Sequence, residues 1–170
     1  MSASFDLDEV DSFVCAAVGQ PGDRIFYLQA TSGSVVITIK LEKLQVGLLA
    51  DYLDRLIQTQ ELPAGPPVAA AHLVQPVIPE WVVGSMMVAI NEASGRIIVI
   101  AQEVTEVDEE EADEDIVPDP DVGQLRVALS RNQVVDFIGR ARELIAGGRE
   151  TCRLCGRPMD VEGHACPRWN

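Results

Sequence analysis

Two stretches of this chain switch from β-type to helical periodicity in the same way, 88 residues apart, and that repetition narrows the possible folds most. In the first, apolar residues fall at Leu41, Leu44, Leu48, Leu49, Leu53, Leu56 and Ile57, which is helical spacing with Asp51, Asp54 and Arg55 left for the wet face. In the second, the spacing runs through Val134, Phe137, Ile138, Ala141, Leu144 and Ile145 and stops at Gly147-Gly148. Superposed, Leu41 falls on Leu129, Lys43 on Arg131, Gln45 on Gln133, Val46 on Val134, Leu49 on Phe137 and Ile57 on Ile145. Any two amphipathic helices share apolar matches. The shared Lys/Arg-x-Gln-Val start is harder to reach without a common origin. Ser130 followed by Gln133 has the spacing of a capping box.

Each helix follows a β-rich stretch. Phe13–Val18, Arg24–Ala30 and Val35–Lys40 read as three strands, separated by Gly19-Gln20-Pro21-Gly22-Asp23 and by a hairpin turn at Ser32-Gly33-Ser34. The third alternates well enough to predict one buried face. Trp81–Asn91 and Arg96–Gln102 read as a second hairpin around Glu92-Ala93-Ser94-Gly95, and Gln124–Leu129 as the strand before the second helix. The expectation is β-β-β-α twice: an α+β fold with largely antiparallel sheet and two helices, halves at about 10–60 and 81–148 within a domain spanning 1–148. One sheet face and one helix stripe per half leave neither half able to bury its apolar surface, so a shared core about a pseudo-twofold is expected.

Two segments break the pattern. Residues 62–79 hold five prolines and read as a crossing loop. Residues 103–121 carry eleven acidic side chains and no basic one, which predicts a self-repelling surface loop. The whole chain has a formal net charge of −14, so its main body is not expected to bind nucleic acid. No apolar run approaches the roughly 20 residues that cross a bilayer, and the N-terminus lacks a basic region and apolar signal core; a cytoplasmic protein with no membrane association is expected.

The last 20 residues hold three of the four cysteines and one of the two histidines. Cys152-Arg153-Leu154-Cys155-Gly156 is a turn that brings two thiolates to one point, with Gly156 permitting the tight backbone. His164 and Cys166 are two residues apart and share a side in an extended segment. Three thiolates and one imidazole make a closed tetrahedral set for Zn²⁺, and four protein ligands leave no open coordination position, which favours a structural metal over a catalytic one. Residues 149–170 are therefore read as a zinc-binding tail with Cys152, Cys155, His164 and Cys166 as ligands. A redox Cys-x-x-Cys would leave His164 and Cys166 unexplained.

Cys15 lies in an apolar strand and reads as a core thiol; His72, alone in the proline-rich loop, reads as solvated; Trp81 and Trp169 read as anchors. There is no phosphate-cradling loop, no nucleophile elbow and no basic-aromatic stripe.

The sequence resembles the actinobacterial domain-of-unknown-function family 3090. The residues that carry this are Val18-Gly19-Gln20-Pro21-Gly22-Asp23-Arg24, Phe26-Tyr27-Leu28-Gln29-Ala30, Leu41-Glu42-Lys43-Leu44-Gln45-Val46 and, in the tail, Cys152-x-x-Cys155-Gly156-x-Pro158 with Gly163-His164-x-Cys166-Pro167-Arg168. Ala16-Ala17 departs from the Gly-Thr common there, and members tend to continue beyond the position of Asn170. The resemblance implies a cytoplasmic actinobacterial protein and assigns no activity.

No catalytic constellation stands out, so the leading expectation is a non-enzymatic zinc-binding module that contacts a protein partner. The alternative is an enzyme or small-molecule sensor whose pocket between the halves is lined by Arg24, Glu42, Lys43 or Arg131. A weaker alternative is RNA binding through the basic-leaning tail.

Overall fold

The computed structural model describes residues 2–105, 121–148, 150–159 and 163–168. Its elements follow the order β1 (Phe5–Leu7), β2 (Ser12–Val18), β3 (Ile25–Ser32), β4 (Val35–Leu41), α1 (Lys43–Thr59), β5 (Val83–Asn91), β6 (Arg96–Glu103), β7 (Gln124–Leu129) and α2 (Arg131–Ala146). The expected β-β-β-α order thus occurs twice, as β2-β3-β4-α1 and β5-β6-β7-α2. Most of the expected acidic loop lies outside the described residues; its first residue, Glu103, closes β6.

Both meanders are antiparallel, forming sheets in the order β2-β3-β4 and β1-β7-β6-β5. Their registers correspond: Phe26 sits opposite Leu41 and Ala17, while Ile97 sits opposite Leu129 and Ile90. The chain entering each half lies parallel beside the last strand of the other. Lys40 bridges Val82, and its N–H donates to Trp81 O at 3.0 Å. On the other side β1 pairs in parallel with β7, from Phe5 opposite Leu125 to Leu7 opposite Val127. β1 departs from the expected pattern. With Asp6 between Phe5 and Leu7 and only three residues, it has no strand signature, and its pairing depends on a partner 120 residues away. The Arg126 guanidinium fixes it by ion pairs to Asp6 and Asp8 at 2.5 and 2.8 Å.

The helix starts explain the repeated Lys/Arg-x-Gln-Val. Gln133 Oε1 accepts from the Ser130 N–H at 2.9 Å while the Gln133 N–H donates to Ser130 Oγ, closing a capping box. In α1, Gln45 Oε1 likewise accepts from the Glu42 N–H at 2.8 Å. Each glutamine also reaches across to the other half. Gln45 Nε2 donates to Val83 O at 3.1 Å at the start of β5, and Gln133 Nε2 donates to Val10 O just ahead of β2. The valine after each glutamine is fully buried. The two helices pack on each other, and Asp54 and Arg142, equivalent positions of the two halves, form an ion pair at 2.6 Å.

A single apolar cluster draws on both sheets and both helices, with Leu28, Ile39, Leu53, Val99, Leu129 and Phe137 among its most buried members. Phe13 and Phe137 rings meet at 5.1 Å. The helix junction is filled by aliphatic side chains such as Val46, Leu49, Leu53, Val134, Ile138 and Ala141. No described residue of the tail joins this cluster.

Strand β4 is buried on both faces at Ile37, Thr38 and Ile39, not on the one face its alternation suggested. The cause is the proline-rich segment 61–80, which acts as a strap. Asn132 Nδ2 donates to Gly65 O, and an Arg140 amino group donates to Ala71 O at 2.6 Å. The buried Gln29 side chain then imitates a peptide, accepting from the Val74 N–H at 2.7 Å while donating to Val74 O and Thr38 Oγ1. A buried amide so paired costs little, whereas unpaired it would cost about 1–3 kcal/mol. Trp81 closes the strap, 5 % exposed, its indole N–H donating to Ala3 O at 3.0 Å. It anchors, as expected. Trp169 lies outside the described residues.

Candidate metal centre

The tail folds back on itself at the first Cys-x-x-Cys. Thr151 bridges Pro158 in antiparallel fashion, the Cys152 N–H donates to Arg157 O, and the Met159 N–H donates to Glu150 O, both at 2.8 Å. The Gly156 N–H returns to Cys152 O at 2.8 Å. Gly156 has φ +70°, a conformation that side chains other than glycine adopt at a cost, which is why glycine follows the second cysteine.

Above this turn the chain brings back His164 and Cys166. One donor atom from each of Cys152, Cys155, His164 and Cys166 lies within 4.8 Å of all the others. The Cys152 and Cys166 sulfurs are 3.8 Å apart, and Cys155 Sγ is 3.3 Å from His164 Nε2. A tetrahedral ion with metal–sulfur bonds of about 2.3 Å demands a sulfur–sulfur edge of roughly 3.8 Å and a sulfur–nitrogen edge of roughly 3.6 Å. The observed edges are close to both. None of the cysteines is in a disulfide. Nδ1 of His164 is buried without a partner among the described residues, so Nε2 is the nitrogen that faces the sulfurs.

The electrostatics of the three thiols fit a cation. The N–H groups of Cys155 and Leu154 point at the Cys152 sulfur and hold its pKa below the usual thiol value. Cys166 is pushed the other way, first by burial and then by its neighbouring sulfurs. Sulfurs as close as those of Cys152 and Cys166 do not both ionise readily without an opposing charge, because a thiolate at one raises the pKa of the other. A divalent ion with thiolate affinity would supply that charge, so the donor set and the edges suit one.

The remaining candidates separate. Cys15 is 8 % exposed, and burial pushes its thiol up to about 12, so it is a core thiol, as expected. His72 is exposed, as expected of a solvated side chain, and lines a cavity between β2 and α2 that Arg24 also lines. Glu42, Lys43 and Arg131 do not line that cavity. They sit at the helix starts beside the glutamines that do the capping. Sequence reasoning missed Arg140, whose place on the wet flank of α2 gives no hint of its hydrogen bond to the strap.

Fold and site together define an α+β protein of two like halves carrying a C-terminal Cys₃His cluster able to hold a metal ion. Residues 5–166 match the family model described as protein of unknown function (DUF3090), and the chain belongs to that family. No curated protein and no solved structure matches it. No helix among the described residues is long and apolar enough to cross a membrane.

Proposed function

We propose that this protein is a non-enzymatic interaction module of the cytoplasm, its tail held by one structural Zn²⁺ on Cys152, Cys155, His164 and Cys166. The observation that carries the metal is the convergence of four donors from two segments on one point. The zinc would cross-link residues 152–155 to residues 164–166, and much of the tail's folding free energy would come from it, since none of the tail's described residues joins the main core. Reduced thiols at metal spacing suit a reducing compartment. The like order and registers of the halves support an internal duplication of residues 1–148, with 149–170 as a separate unit.

The tail is also the natural contact surface. Leu154 is 53 % exposed at the tip of the cysteine turn, flanked by the exposed Arg153 and near the exposed Arg157. Arg168 donates to Leu154 O at 3.3 Å and fixes the tip. An exposed apolar side chain on a segment rich in exposed arginine suits an acidic protein surface.

Elemental analysis of protein purified without added metal is the first test. A single zinc ion per chain, absent from Cys152→Ser and His164→Ala variants whose bodies remain folded, is expected. Folded protein without zinc would sink the metal assignment. For the contact, a photo-reactive residue at position 154 is expected to cross-link a protein in cells. Cross-links to RNA instead would replace the protein partner with the weaker alternative.

A further inference from the structure

The two halves do not use their equivalent grooves alike. Each helix flanks the first strand of the other half: α1 beside β5 and α2 beside β2. The α1/β5 groove is lined by Leu48, Tyr52, Met86 and Met87 and is apolar. The α2/β2 groove holds a cavity of about 500 Å³, within the range of small-molecule sites. Asp136 and Arg140 stand in α2 where Leu48 and Tyr52 stand in α1.

Four segments make the polar cavity. The edge strand β2 supplies Cys15 and Ala16, the strap supplies His72, α2 supplies Arg140 and Glu143, and Arg24 comes from the turn leading into β3. Arg140 is already oriented, its Nε on Asp136 at 2.7 Å and one amino group on Ala71 O, which leaves its other amino group uncommitted. Arg24 has no ion pair or hydrogen bond among the described residues, in a chain with 27 acidic residues against 13 basic ones. A half-buried guanidinium with no carboxylate partner among the described residues is poised for an external anion.

We propose that this cavity is a binding site for a small organic molecule bearing an oxyanion, held by Arg24 with Arg140 and with His72 as a further donor. Guanidinium groups match carboxylate and phosphate oxygens in a planar, paired geometry. Glu143, on the same wall, sets the selectivity: it repels a second negative group and accepts from a hydroxyl or amine of the ligand. The site is independent of the zinc tail.

The test uses the full-length, zinc-replete chain and two probes in separate titrations, inorganic phosphate and lactate, followed by backbone amide NMR. Saturable shifts at residues 14–17, 24, 71–73 and 140–147 are expected, with the tighter probe naming the oxyanion class. Arg24→Gln should weaken that probe at least about tenfold, the loss of one charge-assisted partner. Glu143→Gln should tighten it, which a purely structural role for Glu143 would not do. Equal affinity in wild type and Arg24→Gln, shifts confined to Arg153, Arg157 and Arg168, or no saturation with either probe would each overturn the proposal.

Discussion

Replacing Gln133 by alanine tests the idea that a single residue type ties the two halves together. The change deletes two hydrogen bonds, from the Ser130 N–H at 2.9 Å and to Val10 O, both part-buried. It leaves the Ser130 hydroxyl free to cap the Gln133 N–H. Each lost bond is worth about 1 kcal/mol net, more where water cannot replace the partner, so the total is about 2–3 kcal/mol. The equivalent Gln45→Ala loses bonds to the Glu42 N–H and Gly84 O, which are exposed, and to Val83 O, which is part-buried. Water takes over the first two, and the cost falls to about 1 kcal/mol. Urea unfolding with unchanged slope gives both numbers. The glutamines share no partner, so the double variant should cost the sum. A Gln45→Ala loss equal to or larger than that of Gln133→Ala, or no measurable loss in either, would refute the reasoning.

Phe137→Ala should cost about 3–5 kcal/mol by urea unfolding, since the ring is fully buried against Phe13; a loss below about 1 kcal/mol would contradict its place in the shared core. The Cys15 thiol, pushed up from 9.0 to about 12, favours the folded state below the ordinary thiol value. Its unfolded counterpart ionises first, so stability should fall between pH 9 and 12 by about 1.4 kcal/mol per unit, and Cys15→Ala should remove that part of the alkaline slope. A native thiol that reacts freely with a thiol reagent at pH 8 would argue against its burial. Deleting residues 149–170 should leave the thermal midpoint of the body nearly unchanged, because the core contains none of those that are described; a collapse of the body would show that the tail is part of the same cooperative unit. The same deletion is expected to leave RNA binding undetectable, as in the full chain, at physiological salt. Tight binding of the full chain that falls steeply with salt and is lost on deletion would establish the tail as an RNA contact.

Local chemistry was legible in the residues themselves. Hydrophobic period, glycine turns and the Ser130–Gln133 spacing act over a few positions, so the helices and the six longer strands lie close to where the pattern put them. The convergence of four donor side chains in the tail was readable for the same reason, since a Cys-x-x-Cys-Gly turn and a His-x-Cys pair each shape their own donors. Three features were decided only by tertiary structure. β1 exists because β7 and Arg126 hold it, although its own three residues carry no strand signal. The strap buries the second face of β4 through the Gln29–Val74 pairing, which no local period encodes. The charged cavity arises because the two halves, alike in backbone, place Arg140 and Tyr52 at equivalent positions, and only the packing of α2 against β2 and the strap brings Arg140, Arg24 and His72 around one space. Sequence fixes what depends on neighbours along the chain. Contacts between residues 45 to 120 positions apart depend on how the halves and the strap pack, and those contacts shape this site.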